Sequence, residues 1–229
     1  MTMKIRSFLA ALLLLSPFST LPAEERVIGE FDSYDAEEIM EICASCHGIY
    51  AQGTPDGEYP RLAGMNPAYL ARQIELFKTR KRINIPMIPF ATDHELPPED
   101  VKTITRYLAS IELPRYMSPL DPNEEFDALA RLEESKKVLN IPHYPGDPDA
   151  GAKLYKKECA SCHGWKGEGR WGKLAPMLTG QHTQYLLRQI ENIRKGERLH
   201  DTPEDAELFR SYTDEEIANI LAWISRQDD

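Results

Sequence analysis

Two five-residue stretches, Cys43-Ala44-Ser45-Cys46-His47 and Cys159-Ala160-Ser161-Cys162-His163, hold all four cysteines of this 229-residue chain. Two thiols three positions apart at a helix end can each add to one vinyl group of a single porphyrin. The histidine that follows then lies under the ring, where an imidazole nitrogen reaches the iron. Cys-x-x-Cys-His is therefore read as c-type haem attachment. Structural zinc is one rival, but paired Cys-x-x-Cys ligands usually stand about 15–20 residues apart, and here more than a hundred residues intervene. A redox dithiol is another, and it gives no reason for a His after the second Cys in both copies. The pattern predicts two covalently bound haem c groups. Cys43, Cys46, Cys159 and Cys162 make the thioethers, with His47 and His163 on the two irons.

Each histidine leaves one axial position on its iron. In the first half Met87 is expected to fill it: it follows Pro86, precedes Pro89 closely, and lies 40 residues beyond His47 in a loop between helices. A soft, neutral thioether favours ferrous iron and raises the reduction potential. In the second half the equivalent position is Pro203, which has no side-chain donor. Three readings follow. His200 swings in to give a bis-imidazole centre of lower potential, the iron keeps an open or water-filled position, or Met177 ligates from the position equivalent to Arg61. The first is preferred. His182, at a helix start, reads as a cap or surface residue, and His94 and His143 as plain solvent histidines.

The elements that must position these groups recur. Adding 116 to the residue number carries Cys43 to Cys159, Gly53 to Gly169, Pro60 to Pro176, Tyr69-Leu70 to Tyr185-Leu186, Arg72-Gln73-Ile74 to Arg188-Gln189-Ile190 and Arg82 to Arg198. Strand signals are weak throughout, so a duplicated helical module is predicted. In the first copy a helix from Asp35 delivers Cys43, and Asn66-Pro67 opens a second helix to about Lys81. Pro98 to Ile111 forms a third, burying Val101, Ile104 and Leu108. In the second copy Thr213 and Glu216 form a capping box ahead of the final helix. The expected units are residues 24–113 and 147–229, each with one haem. A connector over 114–146 has a helix from Asp121 to about Leu139 that lies against one or both modules.

Composition narrows the setting. Lys4 and Arg6, an apolar run from Phe8 to Leu15, a break at Ser16-Pro17 and a cut after Ala23 read as a signal peptide over residues 1–23. The run is too short for a spanning anchor, and no Cys near the cut invites a lipid. No later segment reaches membrane-span length. The mature chain is expected in a periplasm, where haem attachment takes place. Net charge is −10, and −12 without Lys4 and Arg6, which argues against nucleic acid. It favours redox proteins with basic docking patches, a membrane-bound oxidase or reductase among them. Two local basic groups, Arg80-Lys81-Arg82 and Lys153, Lys156, Lys157, Lys166, Arg170 and Lys173, read as solvated faces.

These residues resemble the dihaem cytochromes c of the cytochrome c4 family over nearly all of the mature chain. The likeness runs through the two Cys-Ala-Ser-Cys-His-Gly motifs, Tyr59-Pro-Arg-Leu-Ala-Gly64, Tyr69-Leu-Ala-Arg-Gln-Ile74, Ile85-Pro-Met87, Leu178-Thr-Gly-Gln181 and Tyr185-Leu-Leu-Arg-Gln-Ile190. The resemblance implies an all-α fold of two tandem class I cytochrome c domains facing each other about a pseudo-two-fold axis, with haem edges close enough for fast electron exchange. It implies a periplasmic electron carrier between respiratory redox partners. The chain departs from that pattern in its missing second Met ligand, in Met177 replacing Arg61, and in its connector length. The rival expectation is a haem enzyme or enzyme subunit with haem 2 as an open catalytic or ligand-binding centre. No acid/base pair in the sequence names a substrate, and no signalling domain supports a sensor.

Overall fold

A computed structural model describes residues 26–200 and 205–227. The expected leader, with Lys4, Arg6 and the cut after Ala23, lies outside the described residues, as does Pro203. Helix α1 (Ser33–His47) starts where the Asp32 carboxylate accepts the Tyr34 and Asp35 amides, and it runs through the first cysteine motif to its end. Helix α2 (Pro67–Lys78) is capped by the Asn66 side chain, with Pro67 at its first position, and α3 (Pro98–Ser110) again opens on proline. A 3-10 turn, Ile85–Met87, carries the candidate sulfur ligand. The second copy repeats the plan: α5 (Pro148–Glu158) and α6 (Ala160–His163) carry the second motif, and α7 (Thr183–Lys195), α8 (Asp205–Ser211) and α9 (Asp214–Ile224) follow. Among the described residues the β pairing consists of one isolated bridge, Arg170 to Ala175.

Each module has its own core. Met40, Met65, Leu70, Ile104 and Leu108 centre the first, while Tyr155, Ile217, Ile220, Leu221 and Trp223 centre the second. Ile104 and Leu108 of α3 and the apolar face of α9 point inward as expected, whereas Val101 is only half-buried, and the capping box of Thr213 and Glu216 is formed. Ile42 is 55% exposed and lines a cavity. In the second module α5 crosses α9 at backbone contact. Gly151 makes this crossing, since a Cβ there would run into the Asn219 carbonyl.

The connector differs from its expected form. Its helix α4 spans Ala128–Lys137 and is capped by Asp127. Asp121 instead closes a turn, its carboxylate accepting the Asn123 amide at 2.8 Å. The apolar side chains of this segment stay exposed, Phe126 at 63% and Leu129 at 69%. Contact with the first module comes through polar groups: Tyr50 donates to the Glu133 carboxylate at 3.3 Å, and the Lys137 ammonium lies 5.5 Å from the Tyr50 ring. The burial comes after the helix, where Leu139 and Ile141 enter the first core. Tyr144 and Arg115 then bond to Ser225 and Gln227, tying the same segment to the second module.

Replacing Gly151 by Ala is expected to destabilise the second module by about 1–3 kcal/mol, because α5 must shift off α9 to admit the methyl group. Thermal unfolding checks this, and a midpoint equal to wild type would contradict the backbone contact.

Candidate haem sites at the seam between the modules

The two motif histidines occupy equivalent environments. His47 Nδ1 lies 2.9 Å from the Pro60 carbonyl, and His163 Nδ1 lies 2.9 Å from the Pro176 carbonyl. A carbonyl only accepts, so each Nδ1 carries the proton and each Nε2 keeps its lone pair. Both rings are buried. Burial pushes the His163 imidazole down to about 4 and lowers that of His47 as well, against a smaller opposing effect of the carbonyl bonds. At neutral pH both are therefore uncharged, the form a metal accepts. Burial also pushes the Cys43 and Cys159 thiols up to about 11, so they stand protonated.

A cavity of about 1230 Å³ opens beside the first motif, larger than the roughly 300–1,000 Å³ that usually encloses one small ligand. Cys43, Cys46 and His47 stand on its wall, as does Met87. The Met87 turn is braced by bonds from the Phe90 and Ala91 amides to the Met87 carbonyl. The cavity does not end at the first module, because Leu178, Leu186, Gln189 and Arg198 line it too. In the second module the His200 ring stands 5.8 Å from that of His163, centroid to centroid, and packs edge-on against Phe209 at 5.2 Å. Its Nδ1 lies 3.0 Å from an Asp205 carboxylate oxygen. Met177 points elsewhere: it is buried in the core cluster of the first module.

The seam itself is a set of bonds that repeats when the modules are exchanged. Arg82 donates to Gln73 at 2.7 Å and to the Tyr185 hydroxyl at 3.1 Å. Arg198, its equivalent, donates to Gln189 at 2.8 Å and to the Tyr69 hydroxyl at 3.1 Å. Reciprocal contacts of this kind are what a two-fold relation produces. Arg61 breaks the symmetry. Its backbone N–H donates to the Gln181 side chain and its carbonyl accepts from it, both at 2.9 Å. The equivalents of Arg61 and Gln181 are Met177 and Met65, which lie together in the first core. So one polar clasp and one thioether contact occupy matching places.

Among the described residues, neither Arg82 nor Arg198 has a carboxylate within ion-pair distance, though Arg82 is 7% exposed and Arg198 is half-buried on the cavity wall. A buried charge without a counter-charge costs several kcal/mol. An anionic guest in the cavity supplies what the chain withholds, and haem carries two carboxylates. Cavity size, protonated thiols, bare imidazole nitrogens and unpaired guanidinium groups together fit that group.

The sequence reading missed this seam. Tyr69, Gln73 and Arg82 and their equivalents marked the repeat, but their pairing across it depends on how the modules dock. It also misplaced His182. The residue stands at the N-cap of α7 but makes no side-chain cap bond. It is 4% exposed, and its Nε2 donates to the Gln52 carbonyl of the other module at 2.8 Å. His94 and His143 are exposed, as expected.

This tandem arrangement of two helical modules, each with a Cys-x-x-Cys-His end and a pre-set imidazole, defines a cytochrome c. The cytochrome c family model matches residues 35–112 and 148–228, and the chain belongs to that family. Within it the chain is a member of the dihaem cytochrome c4 group. It is 28% identical to cytochrome c4 of Pseudomonas aeruginosa over 80% of this chain and 82% of that one. It is 30% identical to a thiosulfate dehydrogenase electron acceptor of Stutzerimonas stutzeri, over 80% and 77%. The fold matches reduced cytochrome c4 of Pseudomonas stutzeri with a TM-score of 0.65 at 21% identity, covering 87% of this chain and all of the other. It matches a thiosulfate dehydrogenase of Marichromatium purpuratum with a TM-score of 0.64 at 25% identity, where 85% of this chain spans 40% of that one. The protein is an electron-transfer cytochrome with two covalent haem c groups. Among the described residues no helix is long and apolar enough to cross a membrane.

Gln181→Ala removes both hydrogen bonds of the clasp from the buried Arg61 backbone, each worth about 1–3 kcal/mol when lost in the interior. Denaturant unfolding is expected to show a loss of about 2 kcal/mol or more, whereas an unchanged midpoint would place the clasp in solvent.

Proposed function

We propose that this cytochrome is an exported, periplasmic relay whose two irons differ by design. Cys43 and Cys46 attach the first haem and Cys159 and Cys162 the second, within units 24–113 and 147–229 joined by 114–146. His47 with Met87 holds the first iron, and His163 with His200 the second. A haem held this way supplies one reversible electron per iron. The protein's own work is to set the two affinities for that electron. Met87 offers a neutral thioether, which favours the reduced state. His200 offers an imidazole nitrogen, a harder donor than a thioether, on a ring that the Asp205 carboxylate holds by Nδ1, and this favours the oxidised state.

The observation that carries this reading is the 5.8 Å separation of the His163 and His200 rings. Two imidazoles sharing a metal at about 2 Å per bond put their centroids roughly 6 Å apart. The place of Met177 in the other module's core supports His200 over it as the second ligand. Arg82 and Arg198, which line the cavity at the seam, would receive the haem carboxylates.

The donor is proposed from the relatives. Two proteins about 30% identical to this chain are named as electron acceptors of thiosulfate dehydrogenase. An enzyme that withdraws electrons from a small sulfur compound is the partner this supports, with a respiratory oxidase or reductase downstream.

Low-temperature electron paramagnetic resonance of the oxidised protein tests the ligand sets. His200→Ala should turn one of two low-spin signals high-spin and leave the other unchanged, and the reduced variant should bind carbon monoxide at one iron. Met87→Ala should do the same to the other signal. A His200→Ala spectrum identical to wild type would defeat the assignment, and rapid carbon monoxide uptake by wild type would favour the open-site enzyme.

A further inference from the structure

The duplication allows each patch of surface to be compared with its own equivalent. Between residues 37 and 57 the first module has four acidic residues and no Lys or Arg, whereas between 153 and 173 the second has six Lys or Arg and two acids. Glu37 stands where the second module has Lys153, and Glu41 where it has Lys157. All four side chains are exposed. Both windows surround the cysteine motif, and in the second module Ser161 and Cys162 reach solvent.

Internal pairing leaves most of this charge available. Lys157 is neutralised by its neighbour Glu158, and the Glu168 carboxylate is occupied by the Lys166 amide. Lys153, Lys156 and Lys166 are exposed, and Lys173 donates to the Ser161 carbonyl at 3.1 Å, which brings an ammonium to the turn between the two cysteines. Trp165, 62% exposed, stands in the same loop. A positive rim around an exposed aromatic residue, in a chain of net charge −10, is a local feature and not a result of composition. Large aromatic side chains anchor interfaces, and charge at the rim steers encounter.

We propose that the two cysteine-motif faces are separate electron ports of opposite charge, and that the basic face around Trp165 docks a redox protein whose own port is rich in carboxylates. The acidic face around α1 is left to a basic partner. An anionic lipid surface is the weaker occupant, since nothing in lipid binding would call for the charge to encircle the cysteine turn. The proposal rests on the relay reading, in which electrons pass at both motifs.

The haem-loaded protein tests it through three charge reversals, K153E/K156E/K166E on the basic face, E37K/E38K/E41K on the acidic face, and R80E/K81E as a control away from both motifs. One readout needs no electron transfer: retention on a carboxylate-coated support at low ionic strength. The second is the rate at which the fully reduced protein is oxidised by hexacyanoferrate(III), each ion taking one electron to become hexacyanoferrate(II). The triple lysine reversal should abolish retention and slow oxidation on the order of fivefold at low salt, with little difference at high salt. The R80E/K81E control should stay within about twofold of wild type. E37K/E38K/E41K should slow the cationic oxidant hexaammineruthenium(III) relative to hexacyanoferrate(III).

Rates insensitive to the lysine reversal, or equally sensitive to R80E/K81E, would overturn the proposal. So would face-dependent capture by phosphatidylglycerol vesicles with unchanged oxidation rates, which points to a membrane. Salt-sensitive self-association abolished by the lysine reversal would also overturn it, by naming a second copy as the occupant. Failure of the relay reading would appear separately, as fewer than two electrons titrating per unaltered chain.

Discussion

Two guanidinium groups sit in the seam of this protein, and no carboxylate among the described residues stands within ion-pair distance of either. Arg82 and Arg198 are held by glutamine and tyrosine oxygens across the pseudo-two-fold axis. Neutral acceptors fix their direction without cancelling their charge. The Tyr185 phenol registers that charge: burial alone would push it up, and the arginines beside it outweigh this and draw it down. The same two cations that bond across the seam also line the cavity between the modules, where the carboxylates of a haem would meet them.

The second coupling is one residue long. Pro60 accepts the His47 Nδ1–H, and the next residue, Arg61, is clasped by Gln181 of the other module. Pro176 accepts the His163 Nδ1–H, and the next residue, Met177, is buried in the other module's core. Each stretch of chain that orients a motif histidine thus also bonds or packs the partner module. Duplication explains why both halves do this. Divergence explains why one uses a hydrogen-bonded arginine and the other a thioether, and Pro203 standing at the position equivalent to Met87 is a further departure from symmetry.

Most of the fold could be read in advance because its signals are local. Asn66-Pro67 and the Thr213/Glu216 box each start a helix with groups only a few residues apart. The cysteine motifs and the 116-residue repeat are patterns of residue type and spacing. The connector helix was misplaced because Asp121 and Asp127 are equally good caps in sequence, and a hydrogen-bonded turn at Asp121 precedes the helix. The exposure of Phe126 and Leu129 was not legible either, since periodicity names a face and not what covers it. His182 looked like Asn66, its equivalent, but its surroundings are made by Gln52 from the other module. What the sequence could not supply was the docking of the modules, and the seam network and the burial of His182 follow from that.

Inequality of the two irons, built on an otherwise repeated scaffold, is the claim on which the rest stands. A potentiometric titration of the oxidised protein, followed optically, addresses it most directly. Two resolved one-electron steps are expected, with the thioether-to-iron charge-transfer band disappearing in the step at higher potential. A single unsplit wave, or that band bleaching across both steps, would mean that the two halves hold their irons alike.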